Sequence, residues 1–100
     1  MASAMIHIAI ANEINKVLKM DTRKLLIGSI APDMGKLIGR EKLITHFLDP
    51  NVADDIPQME KFVEKYKEYL NDPFVLGYYI HLYTDFFWFK YFIPEVLEND

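Results

Sequence analysis

Five side chains that can bind a metal ion stand in apolar stretches of this sequence. The histidines lie in "MIHIAIA" (His7), "LITHFLD" (His46) and "YYIHLYTD" (His81), and the aspartates lie in "GSIAPDMG" (Asp33) and "YYIHLYTD" (Asp85). Burying a carboxylate among apolar residues is costly unless it is paired or bound to a metal. Imidazole and carboxylate suit Zn²⁺ or another first-row divalent ion, and the chain has no cysteine to add a thiolate. The set therefore suggests a metal site.

His81 and Asp85 are four residues apart in "GYYIHLYTDFFWFKYF", and Gly77 stands one turn earlier. On a helix these three residues form one column. A glycine inside a helix costs about 0.5–1 kcal/mol relative to alanine, and we interpret Gly77 as leaving space above the imidazole. The alternative is an ordinary core histidine beside an aspartate paired with a buried base. The nearest cationic residue in the sequence, Lys90, is five residues after Asp85 and lies on another face of the helix. This position disfavours the alternative but does not exclude it.

Two helices are predicted before the middle of the chain. Ser3 is a plausible N-cap for the first, whose apolar residues recur at helical spacing. The second begins near Thr22 and should end near Ala31, because Pro32 disfavours helical geometry at the residue before it. Residues 32–54 are predicted to be mainly loop, with a short helical segment in "EKLITHF".

Two further helices are predicted in the second half. The third has a charged face and an apolar stripe that consists of Met59, Phe62, Val63, Tyr66, Tyr69 and Leu70. The fourth has Asp72 as N-cap and Pro73 at its first position, and it should run to about Ile93, where Pro94 disrupts it. It is apolar around nearly its whole circumference, which is typical of a central, buried helix. The fold class is all-α, with about four helices in a single domain over residues 1–100.

Composition narrows the choice of partners. A net charge of −4 gives no electrostatic reason to expect nucleic-acid binding. No stretch reaches 18 uncharged apolar residues, so no transmembrane segment is predicted. The start lacks the basic region of a secretory signal, so we expect a cytoplasmic protein.

The order and context of the candidate residues resemble the zinc-dependent phospholipase C family, which is all-helical and related in fold to the S1/P1 nucleases. The matching stretches are "ASAMIHIAIA", "LIGSIAPD", "THF" and "LGYYIHLYTDFFW", which together cover most of the chain. The resemblance implies that His7 binds one metal ion and that Asp85 bridges it to a second. It implies that the second ion, also Zn²⁺, is held by three further residues, namely Asp33, His46 and His81. Asp33 would instead, or also, accept a proton from the attacking water.

The resemblance implies a phosphodiester hydrolase that acts through metal-activated water on a small phosphodiester or a phospholipid head group. In that family a third metal is held by residues after the HxxxD helix, and this chain has no histidine after His81. We therefore expect a chain truncated at its C-terminus, a minimal form that completes its core as a homo-oligomer, or a relative that binds metal without catalysis. The rival function is a non-catalytic helical domain that binds metal or a protein partner. An HD-type phosphohydrolase is disfavoured, because Phe47 follows His46 where that family needs an aspartate.

Overall fold

A computed structural model describes residues 4–35, 39, 42–51 and 56–98, and none of these residues lies in a strand. The helices are α1 (Ala4–Leu18), α2 (Thr22–Met34), α3 (Lys42–Thr45), α4 (Met59–Tyr66), α5 (Pro73–Phe87) and α6 (Ile93–Glu98). A 3-10 turn, Lys67–Tyr69, extends α4, and a π-helical segment, Trp88–Phe92, joins α5 to α6. The all-α prediction is confirmed, and the four longest helices correspond to the four that the sequence predicts.

Side-chain caps set the beginnings of α2 and α5. Asp21 accepts a hydrogen bond from the Lys24 backbone N–H over 3.0 Å, and Asp72 accepts one from the Phe74 N–H over 2.9 Å. Pro73 occupies the first position of α5, where its missing N–H is not needed. The predictions for Thr22, Asp72 and Pro73 are confirmed, whereas the N-cap predicted at Ser3 lies outside the described residues.

Both helix ends predicted from proline are wrong. α2 continues through Pro32 to Met34, and the helical path after α5 continues through Pro94 to Glu98. Pro32 lies in the last turn of α2 and is fully buried, so packing offsets the local preference against helix. Before Pro94, the Ile93 N–H bonds to the Trp88 carbonyl five residues back. This wider turn relieves the crowding that a proline causes against the carbonyl of a regular helix.

The helix α5 packs into the core along one face between Gly77 and Asp85. Its buried residues are Gly77, Ile80, His81, Leu82, Thr84 and Asp85. Ile80 packs with Ala11 of α1 and Leu25 of α2 in the apolar core. Four aromatic residues of α5 and of the π-helical segment after it are 44–53% exposed, namely Tyr83, Phe87, Tyr91 and Phe92. Within the described residues, no helix is long and apolar enough to cross a bilayer.

The space above the His81 imidazole is filled by the backbone of α2, contrary to our interpretation of Gly77. A Cβ atom at Gly77 would lie 2.1 Å from the Leu25 carbonyl oxygen and 2.9 Å from the Ser29 nitrogen. Gly77 therefore allows two helix backbones to approach closely, and it leaves no open space over the histidine.

Candidate metal centre

The five candidate ligands come from four parts of the chain. His7 lies in the first turn of α1 and Asp33 in the last turn of α2, while His46 directly follows α3. His81 and Asp85 share one face of α5, as their spacing predicts. α5 thus provides two of the residues, while α1, α2 and the turn after α3 provide one each.

The side-chain atoms of all five residues converge. The two oxygens of Asp85 face different histidines: Oδ1 lies 3.0 Å from His7 Nε2, and Oδ2 lies 3.3 Å from His81 Nε2. Asp33 Oδ1 lies 2.9 Å from His46 Nε2 and 3.7 Å from His81 Nε2. The His7 and His81 rings stack with their centroids 3.6 Å apart. The result is one connected cluster, in which Asp85 lies beside the edges of both stacked rings.

Burial differs between the two carboxylates. The His7, His81 and His46 side chains are 0%, 0% and 5% exposed, and the Asp85 side chain is 3% exposed. The Asp33 side chain is 22% exposed, which makes it the member of the cluster with the most access to solvent. A molecule arriving from solvent therefore meets Asp33 first.

Hydrogen bonds outside the cluster orient two of the imidazoles. His81 Nδ1 lies 2.6 Å from the Ser29 carbonyl oxygen. Because a carbonyl only accepts hydrogen bonds, Nδ1 carries the proton and Nε2 keeps its lone pair toward the carboxylates. His46 Nδ1 lies 3.0 Å from Thr45 Oγ1, and the Tyr78 hydroxyl donates to the Thr45 carbonyl. Such partners fix the ring orientation of metal-ligating histidines.

Several polar atoms in the cluster are buried and make no hydrogen bond. They are both ring nitrogens of His7, Nε2 of His81 and Oδ1 of Asp85. His7 Nε2 and Asp85 Oδ1 are 3.0 Å apart, yet their orientation does not meet hydrogen-bond geometry. Unsatisfied polar atoms are costly to bury, whereas a shared cation would satisfy several at once. Ligand atoms of His7, Asp33 and His81, and likewise of His46, His81 and Asp85, lie within 4.8 Å of one another, so the residues fit a metal ion.

The pKa values of both carboxyl groups lie below their usual range. Burial raises the pKa of Asp85, but the neighbouring imidazoles of His7 and His81 outweigh this effect and lower the pKa. Burial also raises the pKa of Asp33, and the hydrogen bond with His46 and the neighbouring imidazoles reverse that effect. Both groups are therefore carboxylates at neutral pH, the form that binds a cation.

The cluster lies within a region that matches a known protein family. The family model described as zinc-dependent phospholipase C matches residues 6–88, which include all five cluster residues. The chain belongs to this family. No curated protein and no solved structure matches the chain. Membership in the zinc-dependent phospholipase C family implies zinc as the metal and a phospholipase-like, metal-dependent activity.

Sequence reasoning found the five cluster residues but missed the groups that orient them. Ser29 contacts His81 through its backbone carbonyl, so the residue type at position 29 does not predict this contact. Thr45 stands directly before His46, and Tyr78 lies among the apolar and aromatic residues of α5. Only the helix packing shows that the Ser29 carbonyl contacts His81 and that the Tyr78 hydroxyl bonds to the residue before His46.

Proposed function

We propose that the cluster holds two divalent ions, with zinc as the natural metal, and that the protein hydrolyses phosphodiesters. His7 would hold one ion, while Asp33, His46 and His81 would hold the other. Asp85 would lie between the two ions. The observation that carries this proposal is the placement of Asp85, whose two oxygens face His7 and His81 separately inside a buried cluster.

The charges of the cluster suit this arrangement. Two cations at the spacing of a two-metal site, about 3.5–4 Å, repel each other, and one carboxylate between them offsets the repulsion. When bound, the ions would supply an activated water and neutralise charge on the phosphate. Asp85 is almost fully buried, so its carboxylate would contact only the ions. Asp33 is more exposed, and its carboxylate would orient the attacking water and accept its proton.

The substrate class proposed is a phosphodiester, either a phospholipid head group or a smaller ester. Hydrolysis of bis-p-nitrophenyl phosphate and of phosphatidylcholine vesicles, with and without chelator, would test it. We expect hydrolysis of at least one substrate that stops with chelator and returns with Zn²⁺. Hydrolysis that persists in chelator would contradict the proposal. Activity on the small ester alone would restrict the substrate to non-lipid phosphodiesters.

A second candidate is a non-catalytic helical domain that binds a protein partner. The half-exposed aromatic residues of α5 and the following segment favour it, because contiguous exposed apolar surface marks interaction sites. Metal content after purification without chelators separates the two functions. About two zinc ions per chain would support the hydrolase, whereas a metal-free protein would support the interaction domain.

A further inference from the structure

Two glycines bring α2 and α5 together where α2 approaches the candidate metal centre. A Cβ atom at Gly28 of α2 would lie 2.1 Å from the Phe74 carbonyl oxygen of α5. A Cβ atom at Gly77 of α5 would lie 2.1 Å from the Leu25 carbonyl oxygen of α2. Real Cβ atoms do not approach backbone oxygens this closely, so any larger residue at either position would force the helices apart.

The same contact reaches the residue that orients His81. A Cβ atom at Gly77 would lie 2.9 Å from the backbone nitrogen of Ser29. The carbonyl of Ser29 accepts the hydrogen bond from His81 Nδ1 over 2.6 Å. Gly77 and His81 are one helical turn apart on α5, and Gly28 directly precedes Ser29 on α2. The close glycine contact and the Ser29–His81 hydrogen bond therefore lie within one helical turn of each other.

We propose that Gly28 and Gly77 are positioning residues for the metal centre: their close contact holds the Ser29 carbonyl on His81 Nδ1 and so keeps His81 Nε2 deprotonated and directed at the ligand cluster. A neutral imidazole carries its proton on only one nitrogen. If the Ser29 carbonyl moved away, the proton would be free to occupy Nε2, the atom that faces Asp33 and Asp85. The Nε2–H form cannot bind a cation through that nitrogen. The effect of the two glycines on metal binding rests on the proposed function, but the tautomer of His81 is a property of the metal-free protein.

The unsatisfied atoms of the cluster support this role independently. His81 Nε2 is buried and makes no hydrogen bond, although carboxylate oxygens of Asp85 and Asp33 lie 3.3 and 3.7 Å away. A protonated Nε2 beside carboxylate acceptors would be expected to rotate or shift toward one of them. Nδ1, in contrast, makes a short hydrogen bond with a backbone oxygen. The geometry thus matches the Nδ1–H form, which the glycine contact maintains.

The first test needs no variant. Long-range ¹H–¹⁵N NMR on the metal-free protein, at a pH where His81 is neutral, reports which ring nitrogen carries the proton. We expect the Nδ1–H form for His81. An Nε2–H form would overturn the proposal, whether or not the protein binds zinc.

The second test compares variants by zinc titration and by the same NMR measurement. Gly77→Ala should mix or reverse the His81 tautomer and weaken zinc binding about 10- to 100-fold, the usual effect of losing a partner of a ligating histidine. The matched control is Leu82→Ala. Leu82 is fully buried in α5 and points about 100° away from His81, so its truncation weakens packing and leaves both glycines in place. Leu82→Ala should keep the tautomer and bind zinc within about threefold of wild type.

A Gly77→Ala protein with the wild-type tautomer and zinc affinity would overturn the proposal, as would an equal loss of affinity in Leu82→Ala. If Gly77→Ala does not fold, Gly28→Ala takes its place, because its clash lies in the first turn of α5, where the chain has more freedom to shift. It should weaken zinc binding more than Leu82→Ala does. A wild-type protein that shows the Nδ1–H form but binds no zinc would refute the proposed function and leave the positioning role intact.

Discussion

Replacing Asp85 with asparagine removes a charge and preserves the size of the side chain. Asp85 is 2% exposed, and its two oxygens face His7 Nε2 and His81 Nε2 at 3.0 and 3.3 Å. The asparagine keeps one oxygen and places an NH₂ group where the other stood. That NH₂ group would point toward a metal position that accepts only lone pairs. We therefore expect Asp85→Asn to weaken binding at both metal positions.

The size of the effect follows from burial. Leaving a buried charge without its partner costs about 3–5 kcal/mol, and each factor of ten in affinity corresponds to about 1.4 kcal/mol. Zinc affinity should therefore fall by roughly two to three and a half orders of magnitude. Competition titration with a chelating dye measures this, and metal analysis of the equilibrated protein should show loss at both positions.

The matched control is Asp21→Asn, which also removes one negative charge but at a position outside the cluster. Asp21 caps α2 through its side chain, and asparagine caps a helix as well as aspartate does. Asp21→Asn should therefore bind zinc like wild type. Equal stoichiometry and affinity in wild type and Asp85→Asn would refute the bridging role and leave Asp85 as an ordinary buried carboxylate.

His7→Ala should empty mainly one metal position, so that metal analysis gives about one zinc per chain instead of two; loss of both ions would contradict separate positions. The pKa of Asp85 is lower in the folded chain than its usual 3.8, so its contribution to the free energy of unfolding should be full above 3.8 and lost as the pH falls toward the folded value. The free energies of unfolding of metal-free wild type and Asp85→Asn, measured by denaturant melts, should therefore converge as acid is added. A difference that grows with acid would show that the lowered pKa of Asp85 is not its cause. The half-exposed aromatic residues of α5 and the segment after it should cause self-association, and sedimentation at micromolar concentration should show a dimer or larger; a monomer that melts cooperatively would count against this.

Local sequence signals determined the beginnings of helices better than their ends. Asp72 and Pro73 cap α5 as predicted, because capping depends on a few neighbouring atoms. Pro32 and Pro94 did not end their helices, because burial of Pro32 and the π-helical turn before Pro94 offset the local preference. Neither effect is visible from residues adjacent in sequence.

In the candidate site too, local sequence predicted some features and the packing of the helices decided others. The types and apolar settings of His7, Asp33, His46, His81 and Asp85 marked them as candidates in the sequence, because an ionisable group is costly to bury without a partner. Spacing alone placed His81 and Asp85 on one face of α5. Only the packing of the helices decided that the two oxygens of Asp85 face different histidines. Likewise, only the tertiary structure places the Ser29 carbonyl against His81 and fills the space above Gly77 with the backbone of α2. The physical reason is that the chemistry of a side chain depends on its residue type alone, whereas the distance between two helix backbones results from all of their contacts together.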